Sequence, residues 1–285
     1  MITDFILSHE ASIRFVFFIS IFVVVAFFET RRPRRQLTVS KTGRWIINLG
    51  IVFIDSIALR IFFSAGAVGL AYWVDQHGWG IMNFLGFPYF VSVVGSILIL
   101  DFVIYLQHVL FHAAPAFWRL HMIHHADLDF DVTTGTRFHP IEILLSMIIK
   151  SGAILALGPP VLSVLLFEIL LNGTAMFNHS NIKLPERWDR ILRLFVVTPD
   201  MHRVHHSIFP NETNSNFGFN SPWWDRLLGT YKPQPRSGHE AMTIGLNQFR
   251  DPNRLTLPKI LILPFVGNPG IYAINRRGQV FTKSE

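Results

Sequence analysis

The chain has 285 residues, of which 50% are hydrophobic and 15% are charged; its formal net charge is +6 and it has no cysteine. A mean hydropathy of +0.36 is too apolar for an ordinary soluble enzyme of this size and indicates an integral membrane protein. Without cysteine, disulfides, iron–sulfur clusters and thiolate ligands are excluded, so a bound metal must be held by nitrogen and oxygen. The basic excess lies beside apolar segments, where it indicates membrane topology rather than a nucleic-acid partner.

Three apolar segments in the first 107 residues predict membrane helices. Residues 13–28 predict the first, which we expect to be retained because Met1 to Asp4 has no basic region and no cleavage site follows. Residues 45–74 are interpreted as one long tilted span or as a span with an interfacial extension. Residues 87–107 predict the third span.

The second half of the chain predicts two more spans and a non-membrane region. Residues 141–177 form two apolar segments split by Gly158-Pro159-Pro160, which predicts a tight helical hairpin. Residues 255–266 are apolar but short and contain two prolines, so we expect an interfacial or packed tail segment. The predicted fold is an all-α integral membrane protein with about five transmembrane helices and a cytoplasmic histidine-rich helical cap.

Lysine and arginine predict the orientation. Residues 29–45 contain six of them, residues 75–86 and the Gly158 turn contain none, and the region after 178 contains fourteen. Because basic loops stay inside, this distribution predicts an external N-terminus and a cytoplasmic position for the histidine-rich segments. We interpret the membrane as a bacterial inner membrane.

Histidine is the most informative residue type between positions 108 and 206. One pair is spaced four apart, and the pattern H-x-x-H-H occurs twice. Positions i, i+3 and i+4 share one face of a helix, so each such pattern can direct two or three imidazoles at a single point. Imidazole is the commonest neutral metal ligand, and eight of them suit a pair of ions better than one. The eight are His108, His112, His121, His124, His125, His202, His205 and His206.

Other histidines receive different interpretations. His179 follows the fifth predicted span and is a plausible ninth ligand. His139 precedes a proline, which predicts an extended backbone, and it is interpreted as either a ligand or a second layer around the site. His9, His77 and His239 lie outside the clusters and are interpreted as ordinary residues.

The identity of the metal is left open by the spacing. Nitrogen-rich sites suit zinc, copper, iron and nickel. Redox-active ions with open positions would activate dioxygen, whereas a redox-inert pair would be hydrolytic.

The motifs H-V-L-F-H at 108–112, H-M-I-H-H at 121–125 and H-R-V-H-H at 202–206 resemble the fatty acid hydroxylase and sterol desaturase superfamily of membrane di-iron enzymes. The resemblance covers roughly residues 95–232. It divides the chain into N-terminal membrane helices at 1–94, a di-iron catalytic domain at 95–232 and a cytoplasmic or interfacial tail at 233–285.

The resemblance implies an O2-dependent oxidoreductase that hydroxylates or desaturates a lipid with two iron ions. The eight histidines and His179 would be the ligands, and Asp101 matches an acidic position near the first motif. No cytochrome-like extension or G-x-G-x-x-G motif is present, so we expect a separate electron-transfer protein or reductase.

Several acidic and aromatic residues receive less specific interpretations. The aspartates after the second motif either orient ligands or are solvated loop residues, and solvation is favoured for at least two of them. The pair of tryptophans and the aspartate near position 224 are expected to pack or cap rather than react. These residues are Asp127, Asp129, Asp131, Trp223, Trp224 and Asp225.

Two alternative functions compete with the oxidoreductase. One is a non-catalytic metal-binding membrane protein, such as a transporter or sensor, and the other is a di-zinc hydrolase. A transporter needs ionisable residues along a path through the bilayer. The predicted spans offer few of them: Asp55, Arg60, Glu142, Lys150 and Glu168.

Overall fold

The computed structural model describes residues 2–275, and every regular element in that stretch is a helix. Five helical segments are long and apolar enough to cross a membrane, which confirms the predicted all-α membrane fold. The last ten residues of the predicted tail lie outside the described residues. The helices are α1 Ile2–Arg31, α2 Lys41–Phe62, α3 Gly66–Gln76, α4 Ile81–Leu85, α5 Tyr89–Ala113, α6 Pro115–His125, α7 Pro140–Leu157, α8 Val161–Asn178, α9 Glu186–Leu192, α10 Pro199–His205, α11 Pro210–Thr213, α12 Trp223–Leu227, α13 Gly238–Ala241 and α14 Leu257–Val266.

The long helices form one bundle whose outer surface is apolar. Helix α8 contacts both α1 and α5, and α7 contacts α2, α3 and α5. Large apolar side chains on the outside remain exposed, including Phe15 at 65%, Phe53 at 67% and Phe90 at 75%. Such a continuous apolar exterior is suited to lipid.

The second apolar segment is not one continuous span, which corrects the first of the two interpretations offered for it. Helix α2 ends at Phe62, and α3 begins at Gly66 after a three-residue break. Gly66 has φ +62°, a left-handed conformation that glycine adopts without steric cost. The backbone therefore changes direction at this glycine.

The hairpin between α7 and α8 forms where the sequence predicts it. Gly158 ends α7 in a left-handed conformation, with φ +65°, and Pro160 precedes the first residue of α8. The turn also lies against Gly80, where an added Cβ atom would come within 2.1 Å of the Gly158 nitrogen. Both glycines are therefore required by the close approach of the two backbones.

The tail segment packs against the histidine-bearing part of the molecule. Helix α14 contacts α6 and α2, and Ile260 and Leu263 join a core that includes Trp118 and Ile123 of α6. The predicted packed tail is therefore present, and it encloses one side of α6.

Candidate metal centre

The ends of four helices carry the histidines to a common point. Helix α5 ends at Ala113, the extended residue Ala114 follows, and Pro115 begins α6. Helix α10 begins at Pro199, with the Thr198 hydroxyl accepting a hydrogen bond from the Met201 N–H at 3.4 Å, as the Thr-Pro-Asp sequence predicts. The ends of α5, α6, α8 and α10 thus face one another.

The nine predicted histidines form two adjacent groups. Within each group, one ring nitrogen from every residue lies within 4.8 Å of those of the others, and all nine side chains are buried. The rings of the two groups also touch, because His125 stacks on His206 with ring centroids 4.6 Å apart. The first group is His108, His112, His121, His125 and His205, and the second is His124, His179, His202 and His206.

The H-x-x-H-H patterns do not each point at one site, which corrects the simplest interpretation of their spacing. In α6, His121 and His125 belong to the first group and His124 to the second. In α10 the assignment is reversed: His202 and His206 belong to the second group and His205 to the first. Each residue advances the helix by about 100°, so positions i+3 and i+4 lie on opposite sides of position i and are about 100° apart. Each pattern therefore contributes to both sites.

Most of the rings are oriented by a hydrogen bond from the nitrogen that faces away from the group. Six of the nine place Nδ1 within 3.2 Å of an oxygen atom, which leaves Nε2 directed inward. The partners are the Phe217 carbonyl for His108 (2.7 Å), Asn214 Oδ1 for His112 (3.0 Å), Glu142 Oε1 for His121 (2.6 Å), the Arg137 carbonyl for His124 (3.2 Å), the Ala175 carbonyl for His179 (2.7 Å) and the Ser215 carbonyl for His205 (2.7 Å).

The inward nitrogens are suited to a cation. His124 and His179 both donate Nδ1–H to carbonyl oxygens, so their Nε2 atoms are both acceptors, yet these atoms lie 3.1 Å apart. The Nε2 atoms of His202 and His179 are also 3.1 Å apart. Two nitrogens bound at right angles to one ion, each at about 2.1 Å, would be separated by about 3.0 Å. The donor set therefore fits a metal ion in each group.

Burial keeps these imidazoles in the neutral form that binds a metal. Removal from water lowers the pKa of His121 and of His179 to about 3. The pKa of His124 and of His205 is lowered well below the ordinary value for the same reason, with further lowering by neighbouring histidines. At neutral pH each Nε2 lone pair is therefore available.

The segment between α6 and α7 is fixed by a buried ion cluster. Arg44 of α2 donates to Asp127 at 2.6 and 2.7 Å and to Asp131 at 2.6 Å. Burial by itself would raise the pKa of Asp127, but the Arg44 guanidinium holds it well below its usual range. Asp129 accepts hydrogen bonds from the backbone N–H groups of Thr38 and Val39 at 2.7 and 2.9 Å. These contacts join α2 and the residues just before it to the segment 127–131, which follows α6.

The interpretation of these aspartates as solvated loop residues is therefore wrong. Asp127, Asp129 and Asp131 are at most 2% exposed, because the start of α2 lies directly over them. The sequence signal for such buried partners was a pair of polar residues one turn apart at the start of an apolar span, Arg44 and Asn48. Asn48 of α2 also accepts a hydrogen bond from Arg137 at 2.7 Å, which joins α2 to the end of the segment that precedes α7.

Two residues near the site were not predicted to act there. Glu142, in the first turn of α7, accepts a hydrogen bond from His121, and an acid two residues after the H-P sequence was the signal for it. Gly135 lies where an added Cβ atom would come within 2.5 Å of the Ala175 carbonyl and 3.1 Å of His179 Nδ1. A side chain at this position would collide with the hydrogen bond that orients His179.

The remaining candidates lie outside both groups. His139 caps α7, with Nδ1 accepting from the Ile141 N–H and Nε2 donating to the Leu261 carbonyl, both at 3.1 Å. Neither nitrogen is free for a metal, so the ligand interpretation of His139 is not retained. His9 and His77 are exposed, and His239 is buried beside Asp200.

Asp101 lies outside both groups and contacts the segment 216–225, which borders the first group. Its carboxylate accepts a hydrogen bond from Trp224 Nε1 at 2.8 Å. Asp225 accepts from the backbone N–H groups of Phe217 and Gly218, and the Phe217 carbonyl in turn orients His108. Trp224 and Asp225 therefore hold the segment in place, as their packing interpretation predicts, and Trp223 donates its ring N–H to the Leu194 carbonyl.

A cavity of about 490 Å³ extends from the first histidine group into the helix bundle. Its walls come from α1, α2, α5, α7 and α8. His108 and His121 line it, together with apolar side chains such as Phe18, Ile104 and Met147. A mostly apolar cavity that contacts the candidate metal ligands is suited to the binding of a lipid.

Fold and site together define a helical membrane protein with two groups of buried histidines that could each hold a metal ion, next to a mostly apolar cavity. The family model described as fatty acid hydroxylase matches residues 93–230. This part of the chain, which carries the histidine motifs, is therefore a fatty acid hydroxylase domain, as those motifs indicate.

The chain is similar to several curated lipid hydroxylases. Ornithine lipid hydroxylase OlsE of Rhizobium tropici is 26% identical over 239 residues, which are 78% of this chain and 67% of that protein. Alkylglycerol monooxygenase of Xenopus tropicalis is 28% identical over 52% of this chain and 32% of its own length. Cholesterol 25-hydroxylase of Rattus norvegicus is 27% identical over 51% of this chain and 48% of its own length.

These relatives confirm the predicted class of function, an oxygen-dependent oxidoreductase that acts on lipids. The chain spans about a third of the alkylglycerol monooxygenase and about half of the cholesterol 25-hydroxylase. No solved structure matches the chain.

Proposed function

We propose that this chain is a di-iron monooxygenase that hydroxylates a lipid within the membrane. The observation that supports the proposal most strongly is the pair of buried, neutral, all-histidine groups at the end of the apolar cavity. The reaction would convert a C–H bond and O2 to an alcohol and water, consuming two electrons and two protons. We further propose that the electrons come from a separate donor protein.

The nine histidines would hold the two ions, five at the first site and four at the second. When bound, the iron pair would supply O2 activation, which protein side chains alone do not provide. The chain itself would orient the ligands through carbonyl oxygens, Asn214 and Glu142. It would also hold the lipid beside His108 and His121 and exclude bulk water by burial of the site.

The three-part division of the chain also remains a proposal. In it, residues 1–94 supply membrane helices, residues 95–232 carry the catalytic site, and residues 233–285 form the tail. The contacts of α14 with α6 support a role of the tail in covering the site.

Metal content provides the direct test of the centre. Protein purified anaerobically should contain about two transition-metal ions per chain, with iron in the active form, because the two groups offer two separate ligand sets. Elemental analysis would measure this stoichiometry. One ion or none per chain would contradict the proposal.

Isotope labelling provides the test of the reaction. Lipids from cells with and without the gene, grown under ¹⁸O2, should differ by a product that contains one ¹⁸O atom in a new hydroxyl group. Mass spectrometry of the lipid extract would detect it. A product with a new double bond and no label would show desaturation instead, and unchanged lipids would contradict the proposed function.

We propose that this chain lies in a bacterial inner membrane and that its histidine centre is on the cytoplasmic side. The four arginines at 31–35 and the histidine-bearing helices lie on the same side of the bundle, since Arg34 forms an ion pair with Asp200 of α10 at 3.1 Å. Basic residues favour the cytoplasmic side. Reporter fusions after Gly78 and after Arg236 should therefore report opposite sides of the membrane, and matching signals would contradict this topology.

A further inference from the structure

The wall of the cavity contains five charged side chains, an unusual number for a space inside a membrane bundle. They come from four helices and are all directed into the same volume. Charged groups in a low-dielectric region are costly unless they are paired or serve a ligand. The five are Arg14, Asp55, Glu142, Lys150 and Glu168.

Three of the five are neutralised within one network that also includes Glu10. Glu168 accepts a hydrogen bond from Lys150 Nζ at 2.6 Å and forms an ion pair with Arg14 at 2.8 Å. Arg14 also forms an ion pair with Glu10 at 3.0 Å. Two cations and two carboxylates are thus balanced within this network, which leaves no charge for a ligand to satisfy.

Asp55 is different because no hydrogen bond or ion pair joins its carboxylate to another side chain or backbone group in residues 2–275. Its side chain is buried at 7% exposure, and its Oδ1 atom has no partner. It lies on the inward face of α2, which also carries Arg44 and Asn48. Arg44 and Asn48 have partners around the site, and Asp55 faces the cavity beyond them.

Two further buried oxygen atoms in the same cavity are unpartnered. They are Oε2 of Glu142, whose other oxygen binds His121, and Oε1 of Gln107 on α5. All three atoms are acceptors, and two belong to carboxylates. A hydroxyl group offers one donor and no charge, whereas a protonated primary amine offers three N–H donors and one positive charge.

We propose that the substrate of this enzyme is a lipid with a protonated amine in its polar part, and that Asp55 binds that amine inside the cavity. The inference rests on the proposed lipid hydroxylase function and adds the chemical class of the substrate. The apolar walls hold the hydrocarbon part, and Asp55, with Glu142 and Gln107 lining the same cavity, selects lipids that carry the amine.

The product itself reports whether an amine is present. The ¹⁸O-labelled lipid from cells that encode this chain is treated with an amine-selective acetylating ester and weighed again by mass spectrometry. The labelled product should gain one acetyl group. A labelled product whose mass does not change would overturn the substrate class while leaving the hydroxylase function intact, and absence of any labelled product would instead count against the hydroxylase function.

Asp55 is tested by a matched set of variants in the same cells. Asp55→Asn should lower the labelled product by ~30-fold or more, the effect expected when one partner of a buried charge pair is removed. Asp55→Glu, which keeps the charge, should retain more product than Asp55→Asn. Asp75→Asn makes the same chemical change at an exposed position of α3 and should leave the product unchanged.

A binding measurement distinguishes a role of Asp55 in substrate recognition from a role in folding. The amine-bearing lipid purified from these cells should raise the Tm of the metal-loaded wild-type protein in detergent and should not raise that of Asp55→Asn. Metal content and membrane yield of Asp55→Asn should equal those of the wild type. Equal stabilisation of both proteins by the lipid, or equal product from Asp55→Asn, would overturn the role of Asp55.

Discussion

His124→Ala and His205→Ala should each lower O2-dependent lipid oxidation by more than ~100-fold while the protein still inserts into the membrane. Loss of a residue that only orients a ligand costs about 10- to 100-fold, so loss of a ligand should cost more. Both histidines lie in α6 or α10, outside the five candidate spans, so insertion should not depend on them. The measurement is labelled product per amount of membrane protein.

The two variants should also lose different ions. His205 belongs to the first group and His124 to the second, so each variant should retain metal at the other group and contain fewer ions than the wild type. His77→Ala is the matched control, because its ring is exposed, hydrogen-bonds the Trp73 carbonyl and stacks on Trp73, and lies outside both histidine groups. Product formation by both site variants at the wild-type rate would reject the metal centre, and equal loss in His77→Ala would show that the assay reports expression.

Arg44→Met should give the largest loss of stability, about 3–5 kcal/mol in the free energy of unfolding. The substitution keeps an unbranched apolar stem but removes the guanidinium, so the carboxylates of Asp127 and Asp131 stay buried without their cation. The segment that leads from α6 to α7 would loosen, so we expect metal loss to follow. Thermal unfolding in detergent, followed together with metal release, measures both effects.

Arg60→Met provides the control for this prediction. Arg60 lies on the same helix, but it is exposed, and within residues 2–275 its one polar contact is to the Ser64 carbonyl at 3.5 Å, so its loss should change the Tm little. Adding Asp127→Asn to Arg44→Met should recover part of the lost stability, because one of the unpaired charges is removed. A Tm for Arg44→Met equal to that of Arg60→Met would show that the buried cluster does not stabilise the fold.

The sequence by itself determined the class of fold and the identity of the candidate ligands. Apolar segments of sufficient length predict membrane helices because backbone groups in lipid must bond within the helix. The Gly158-Pro159-Pro160 turn and the Thr198 cap are local signals, and both occur in the structure as predicted. The histidine motifs were recognisable because so many imidazoles at helical spacing are rarely needed for packing.

Only the tertiary structure decided how those histidines are shared. Whether His124 joins His121 or His179 depends on which helix ends face each other, and spacing along one helix does not contain that information. The buried position of Asp127 likewise depends on α2, whose Arg44 lies 83 residues away in the sequence. The same holds for Asp55, because its position in a cavity without a partner for its Oδ1 atom becomes visible only when five helices enclose that cavity. Local patterns reflect local forces, whereas pairing between distant segments is set by the packing of the whole bundle.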